Sequence, residues 1–241
     1  MAWMNTKLLT IIRRVKRNIE DYGWKITIRK SWDYLFEWLY LHRVYQIIVI
    51  DPSTVSSQEV SGLQRFTFRT LQPKDTQLIE KVEELAEWLQ GTVADRIARG
   101  DLCVAALSEG ELAGFYFVGF GEVLIPLLQA RRGFRPGRGW VEHVAVLKQY
   151  RRRGISTQLR YRTFEELRKR GCRRLYSGVL PHNLVSLRSA LQAGFQPLAE
   201  VHFTKVLGSK AWRCNRPSNR IQSTVGITRP GIPSDVPAAD S

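Results

Sequence analysis

Apolar and polar positions change rhythm several times along the chain, and the changes divide it. In residues 1–50, Leu8, Leu9, Ile11, Ile12, Val15 and Ile19 form one helical stripe opposite Lys7, Arg13, Arg14, Lys16 and Arg17, the period of an amphipathic helix. Trp3, Trp24, Trp32 and Trp38 fall in the same segment, which reads as a basic, aromatic N-terminal extension. Residues 51–63, DPSTVSSQEVSGL, lose that rhythm and read as a linker. From 64 to 207 helical and strand periods alternate, as in a compact α/β domain. Arg65 to Thr70 predicts a strand. Ile79, Val82, Leu85, Ala86 and Leu89 predict one or two helices between Lys74 and Arg99. Cys103 to Leu107 and Leu112 to Phe120 flank Glu109-Gly110, a hairpin signal. Gly133, Pro136 and Gly137 break residues 123–139 into a basic loop. Trp140 to Val146 predicts a strand, Gly154 to Arg170 a helix, and Arg174 to Val179 a strand. Ser186 to Ala193 predicts a short helix stopped by Gly194, and Phe195 to Val206 an extended run. The tail, 208–241, sets Pro217, Pro230, Pro233 and Pro237 among Ser, Asn and Gly and reads as disordered.

Composition adds a bias in charge. The 241 residues are 44% hydrophobic and 24% charged, enough for a sizeable core. Lys and Arg number 37 against 22 Asp and Glu, a formal charge of +15. That balance points to an anionic partner: a phosphate, nucleic acid, acidic lipid or anionic cofactor. Residues 148–174 alone carry eleven basic and two acidic side chains, so the excess is focused. Cys103, Cys172 and Cys214 lie far apart, with no metal-ligand spacing. No metal site and no disulfide framework are expected, and a cytoplasmic setting is the default. Leu112 to Gly121 is far shorter than the ~20 residues of a spanning helix. No signal peptide is expected, because the N-terminus lacks a small-residue cleavage site.

The focused charge surrounds Val144-Ala-Val-Leu-Lys-Gln-Tyr-Arg151-Arg152-Arg153-Gly154-Ile155-Ser156. A strand ends, the chain turns, and a helix begins on a glycine. The start of a helix leaves N–H groups unpaired, and its dipole favours an anion there. Gly154 permits close backbone approach, Ser156 can add a hydroxyl, and the arginines supply charge-assisted bonds. On spacing alone, a solvated basic helix after an ordinary turn reads almost as well.

This stretch resembles the acyl-CoA-binding motif of the GNAT superfamily of N-acyltransferases, Arg/Gln-x-x-Gly-x-Gly/Ala. Arg151 and Gly154 fill their positions and Ser156 replaces the last small residue. Val146-x-x-x-Tyr150 matches the approach to the motif. Asn183-Leu-Val-Ser186 followed by Gly194-Phe195 resembles the family's Asn-x-x-Ala/Ser…Gly-Phe ending. The element order agrees over residues 64–207.

The resemblance implies an α/β fold with a mixed, largely antiparallel sheet, flanked by helices and splayed at the acyl-CoA site. It implies acetyl-CoA as co-substrate without a metal, and direct transfer to a small-molecule amine in a ternary complex. Pantetheine would lie between the strands Trp140–Val146 and Arg174–Val179, bonded near Val144 to Val146. The pyrophosphate would take the amides of Arg151, Arg152, Arg153, Gly154, Ile155 and Ser156. Lys148, Arg152 or Arg153 would meet the adenosine 3′-phosphate. Asn183, in one block with Ser186, would bond the pantetheine arm or order the loop before the last helix. The family's proton-donating tyrosine, seven residues after the asparagine, is Ala190 here. Tyr176 or water could replace it, or the thiolate could leave unaided. The N-terminal extension loosely resembles those of members from bacterial polysaccharide gene clusters, which hints at an amino-sugar acceptor.

For the base, Glu142 and His143 lie on the strand that, by the resemblance, would face the thioester. Strict alternation puts Trp140, Glu142, Val144 and Val146 on one face and Val141, His143 and Ala145 on the other. A carboxylate among apolar neighbours has a raised pKa and can accept a proton. Glu142 in an ion pair with an arginine and His143 as a packed strand residue are the structural alternatives. His182 is a third candidate, while His42 and His202 have no recommending context. The loop Arg131 to Arg138 could cover the acceptor site or be solvated. The rival reading is a non-catalytic basic protein of the same fold, binding nucleic acid or an anionic membrane surface. In the basic window only Tyr150, Tyr161 and Phe164 interleave the charge, which argues against nucleic acid. The stripe in residues 1–50 could lie on a membrane, or dock on the core or a second copy. Peripheral membrane contact and an oligomer both stay open.

Overall fold

The computed structural model describes residues 39–55 and 65–216. The amphipathic stripe from Leu8 to Ile19, its tryptophans, most of the linker and the Pro-rich tail lie outside the described residues. The chain divides into a larger unit built on Tyr45–Val201 and a smaller one that takes in Val44 and His202–Arg213.

In chain order the strands are β1 (Tyr40–Ile50), β2 (Phe66–Thr70), β3 (Leu102–Ser108), β4 (Glu111–Gly119), β5 (Glu122–Ile125), β6 (Ala130–Gly133), β7 (Arg138–Val146), β8 (Arg174–Val179), β9 (Gln196–Val206) and β10 (Ser209–Asn215). The helices are α1 (Thr76–Leu85), α2 (Val93–Ala98), α3 (Ile155–Lys169) and α4 (Leu184–Gln192). In the larger unit the sheet order is β9-β1-β8-β7-β4-β3-β2, with β5 and β6 as a separate hairpin. The ladders β1–β8, β2–β3, β3–β4 and β4–β7 are antiparallel, and β7–β8 is parallel.

The two faces of this sheet carry two cores. Ile48, Tyr116, Val118, Val141, Leu175 and Val179 pack with Leu159, Phe164 and Leu167 of α3 and Leu187 and Ala190 of α4. On the other face Phe115, Phe117, Cys103 and Ala105 pack with Leu78, Ile79 and Val82 of α1 and Val93 of α2. Leu159 and Leu167 are fully buried, each contributing about 1.5–3 kcal/mol. Glu109 and Gly110 both have positive φ (54° and 85°) between β3 and β4, as a tight hairpin turn requires. Among the described residues no helix is long and apolar enough to cross a membrane.

Three boundaries differ from those the sequence suggests. The end of the supposed extension is a strand: Gln46 to Ile50 of β1 pair with Val179 to Leu175 of β8. Tyr45, Ile48 and Ile50 are buried, and Gln46 donates to the Ala199 carbonyl at 3.0 Å. The basic charge of the preceding residues hid the β-branched run that follows. Residues 123–139 are not wholly loop, because Val123 and Ile125 are buried and anchor the β5–β6 hairpin. Ser209–Asn215 is a strand rather than disordered tail. In the smaller unit Leu207 and Gly208, both at positive φ, reverse the chain after β9. There Phe203 packs on Trp212 at 5.7 Å, Leu207 N–H donates to the Leu39 carbonyl, and His42 Nδ1 meets Thr204 Oγ1 at 3.0 Å.

Candidate active site

The parallel ladder between β7 and β8 is short. It pairs Arg138 with Arg174, Gly139 with Leu175 and Trp140 with Tyr176, and stops. Beyond that point β7 keeps β4 as its partner to Val146, while β8 keeps β1 to Val179. The sheet is therefore split between Val141–Val146 and Ser177–Val179. Backbone groups of β7 that point into the split are left for a ligand. The Val146 carbonyl is an exception: it accepts from Arg151 Nε at 3.0 Å.

At the open end of the split the chain makes the basic turn. Lys148–Tyr150 form one 3₁₀ turn, after which Arg151 is extended, Arg152 sits at φ 63° and Gly154 at φ 81°. A left-handed arginine is uncommon and costs energy that a function commonly explains. The Arg151 N–H bonds to the Lys148 carbonyl at 3.3 Å. Among the described residues the N–H groups of Arg152, Arg153, Gly154, Ile155 and Ser156 meet no acceptor, and no side chain caps α3. Five consecutive unpaired donors at a helix N-terminus make an anion cradle. Two refinements of the sequence reading follow. The amide of Arg151 is already paired, and its exposed side chain bonds the strand end through Nε. Lys148, Arg152 and Arg153 are exposed too, and Arg153 lies over the Tyr150 ring at 6.0 Å.

Strict alternation fails at the candidate bases. The β4–β7 register shifts between Phe117, opposite His143, and Val118, opposite Val141, so Glu142 is an extra residue in β7. Such a bulge re-aims side chains. Val141, Val144 and Val146 belong to the α3 face, whereas Glu142 and His143 both turn to the α1–α2 face. Glu142 therefore does not share a face with Val144 and Val146.

Its carboxylate is also engaged. Arg96 of α2 donates Nη1 to Glu142 Oε2 at 2.8 Å and Nη2 to Oε1, while its Nε donates to Asp101 Oδ2 at 2.7 Å. Asp101 in turn accepts from the Phe120 N–H at 2.8 Å. The Glu142 side chain is only 1% exposed. Burial pushes its carboxyl above the ordinary carboxylate range, against the downward pull of Arg96. Both oxygens being taken, Glu142 is an ion-pair partner and not an open base. Replacing it with glutamine strands half of the Arg96 fork. The expected loss of folding stability is about 3 kcal/mol, the lower end for breaking a buried pair, measurable by denaturant unfolding.

His143 is the other candidate, and it is packed among aromatic rings. Its ring meets Trp88 edge-on at 4.6 Å and Phe115 at 5.4 Å, and is half-buried. Desolvation lowers its pKa, so the imidazole is neutral near pH 7. On the same face Trp140 and Tyr176 both contact Phe134, at 6.0 and 5.7 Å, so aromatic rings border the split where it begins. His182 is exposed in the loop after β8.

The model of the acetyltransferase (GNAT) family matches residues 65–195, more than half of the chain. The chain belongs to the GNAT acetyltransferase family. No curated protein matches it. Among solved structures, a GNAT-family putative acetyltransferase from Novosphingobium aromaticivorans is similar at 17% identity and TM-score 0.51, over 74% of this chain and 66% of that one. A GCN5-related glucosamine N-acetyltransferase region of a fungal multi-domain β-N-acetylglucosaminidase gives 14% and 0.53, over 73% and 22%. A tandem GNAT protein from the clavulanic acid biosynthesis pathway gives 16% and 0.50, over 69% and 54%. The chain thus spans less than two thirds of each of these proteins, and at such identities the likeness is one of fold.

Within this GNAT fold the Asn183–Ser186 block has a local task. Asn183 Oδ1 accepts from the Ser186 N–H at 3.1 Å and caps α4. Ser186 contributes its backbone to that cap, and both residues are exposed. Asn183→Ala is expected to cost about 1 kcal/mol of stability and to leave acetyl-CoA affinity unchanged in calorimetry. Ala190 is buried against the α3–β8 core. The residues that spacing did not single out are Arg96, Trp88 and Arg160. Arg160 lies in a helix whose basic composition reads as solvated, yet it is 8% exposed. Its position four before the core residue Phe164 was the available signal.

Proposed function

We propose that this GNAT protein transfers an acetyl group from acetyl-CoA directly to a small primary amine. The observation that carries the reading is the row of unpaired amides from Arg152 to Ser156 at the mouth of the β7–β8 split. Those donors suit a diphosphate, Gly154 places no side chain over them, and Lys148, Arg152 and Arg153 supply the positive field. The β7 backbone from Val144 to Val146 suits the amide-bearing pantetheine arm, whose thioester is the activated acyl group.

His143 is the base in this reading. A neutral, half-buried imidazole can take the proton of an incoming ammonium, directly or through one water. Neutral amine nitrogen then adds to the acyl carbon, with a β7 backbone N–H polarising the carbonyl oxygen. The aromatic border of Phe134, Trp140 and Tyr176 favours an acceptor with a ring or apolar surface, such as an amino sugar.

The decisive experiment is calorimetric titration of the whole protein with acetyl-CoA, followed by screening amines for free-thiol release. Saturable binding and amine-dependent release are expected. Binding of RNA or anionic vesicles without any response to acetyl-CoA would overturn the reading in favour of a non-catalytic basic protein.

A further inference from the structure

In the smaller unit, apolar side chains stand in solvent where β9 turns into β10. Leu207 and Gly208 reverse the chain at φ 48° and 86°, and every residue from 206 to 214 is exposed, so the turn projects into water. Leu207 is 64% exposed at its tip, and Val206 beside it is exposed as well. The Leu207 N–H bond to the Leu39 carbonyl, 3.0 Å long, brings Tyr40 to the same place, 59% exposed. Farther along β10, Trp212 leans on the buried ring of Phe203 at 5.7 Å and is itself exposed. Tight turns favour glycine and small polar residues. Apolar side chains gathered on an exposed one mark a contact surface.

The charge around the turn selects the partner. Arg43, Lys205, Lys210 and Arg213 are the Lys and Arg residues of 39–44 and His202–Arg213, and these stretches hold no Asp or Glu. A second copy would set the same cations against them, and like charges repel. Residues 1–38, which join the unit at Leu39, bring Lys7, Arg13, Arg14, Lys16 and Arg17, so charge disfavours that stretch as the cover too. A projecting tip also lacks the concave walls that a small ligand needs. A phospholipid surface suits these features together. Its headgroup layer yields to an apolar turn, and Tyr and Trp settle at its level. Its anionic phosphates attract Lys and Arg, whose apolar stems lie along the tip.

We propose that the β9–β10 turn docks this protein on bilayers that contain anionic phospholipid. Leu207 and Val206 enter the headgroup layer, Tyr40 and Trp212 lie at its level, and Lys205, Lys210 and Arg213 meet the phosphates. Residues 1–38 are tethered to the same surface through Leu39, and they carry Trp3, Trp24, Trp32 and Trp38 besides their cations. A tether raises their effective concentration at the bilayer, so the two stretches reinforce each other. Docking is additional to acyl transfer and uses none of its residues.

The test is co-sedimentation of the whole protein with vesicles, either phosphatidylcholine alone or phosphatidylcholine mixed with phosphatidylglycerol. Capture by the anionic vesicles only, weakening as salt rises, is expected. Leu207→Asn removes the apolar tip and keeps the turn, because asparagine tolerates positive φ. Lys205→Glu combined with Lys210→Glu reverses the charge beside it; each basic side chain at such a surface is worth about fivefold in affinity. Each of these two variants is expected to weaken capture at least about tenfold, while acetyl-CoA affinity without vesicles stays at the wild-type value. No capture by anionic vesicles overturns the proposal, as does capture that both variants leave unchanged. Equal capture by neutral and anionic vesicles overturns the choice of an anionic surface. A dimer in sedimentation velocity that Leu207→Asn abolishes, without vesicle capture, assigns the tip to a second copy instead. Vesicle capture of a protein that shows no acetyl-CoA binding overturns the acyl-CoA reading alone and leaves the docking surface standing.

Discussion

Gly154→Glu is expected to weaken acetyl-CoA binding by at least about 100-fold while the protein stays folded. Gly154 precedes α3 at φ 81°, where a side chain costs roughly 1–2 kcal/mol. That penalty is affordable: Arg152 already holds a left-handed conformation two residues earlier. The larger effect is on the ligand. A glutamate over the cradle places a carboxylate among donors that otherwise meet phosphate oxygens, and excludes close approach to the Ile155 and Ser156 amides. Losing two charge-assisted bonds removes about 3–6 kcal/mol, and each 1.4 kcal/mol is about tenfold in affinity. Gly154→Ala carries the backbone penalty without the charge, so its loss should be much smaller. Calorimetry separates the two, with thermal unfolding to confirm that both variants are native. Unchanged affinity in Gly154→Glu would place the diphosphate elsewhere and detach function from this turn.

The same turn shows what was readable in one dimension. Arg151, Gly154 and Ser156 mark the cradle because a helix start and a small residue are local features, fixed by neighbours in sequence. The α3 and β8 limits were legible for the same reason. Long-range pairing was not. β1 joins β8 across most of the chain, so nothing near Tyr40 announces its partner, and charge in the preceding segment masked its apolar end. The bulge in β7 was equally hidden: an extra residue appears only when the strand is laid against β4. That one insertion moved Glu142 off the face of Val144 and brought it to Arg96. The Arg96 partnership itself spans 46 positions, beyond any spacing rule. Arg160 was misjudged differently. It shares α3 with Arg162, Arg168 and Lys169, so the basic composition of the helix outweighed its spacing from Phe164.

His143→Gln is expected to lower turnover by about 10²–10⁴-fold, the usual worth of a positioned base, with little change in acetyl-CoA affinity. The bulge and the ring contacts supply the reason for choosing His143. Glu142 shares its face but has both oxygens committed to Arg96, whereas the imidazole is flanked by carbon surfaces of Trp88 and Phe115. Removing the ring from water penalises its charged form and lowers its pKa below the ordinary 6.5. Base catalysis requires the neutral ring, so kcat/KM should be level above that value and fall only as pH drops through the lowered one. The glutamine variant should lack this acid limb. Stability carries the same sign. A histidine whose folded pKa is depressed binds protons more readily when unfolded. Its stabilising contribution is therefore full above about 6.5 and lost as pH falls through the folded value. Wild-type protein should lose more stability than His143→Gln between those limits, read as a shift in denaturation midpoint. A variant that kept both its turnover and its acid limb would show that water or another group takes the proton. The paired shift in rate and stability ties the base to this one ring, because a merely packed histidine would move the denaturation midpoint and leave kcat/KM where it was.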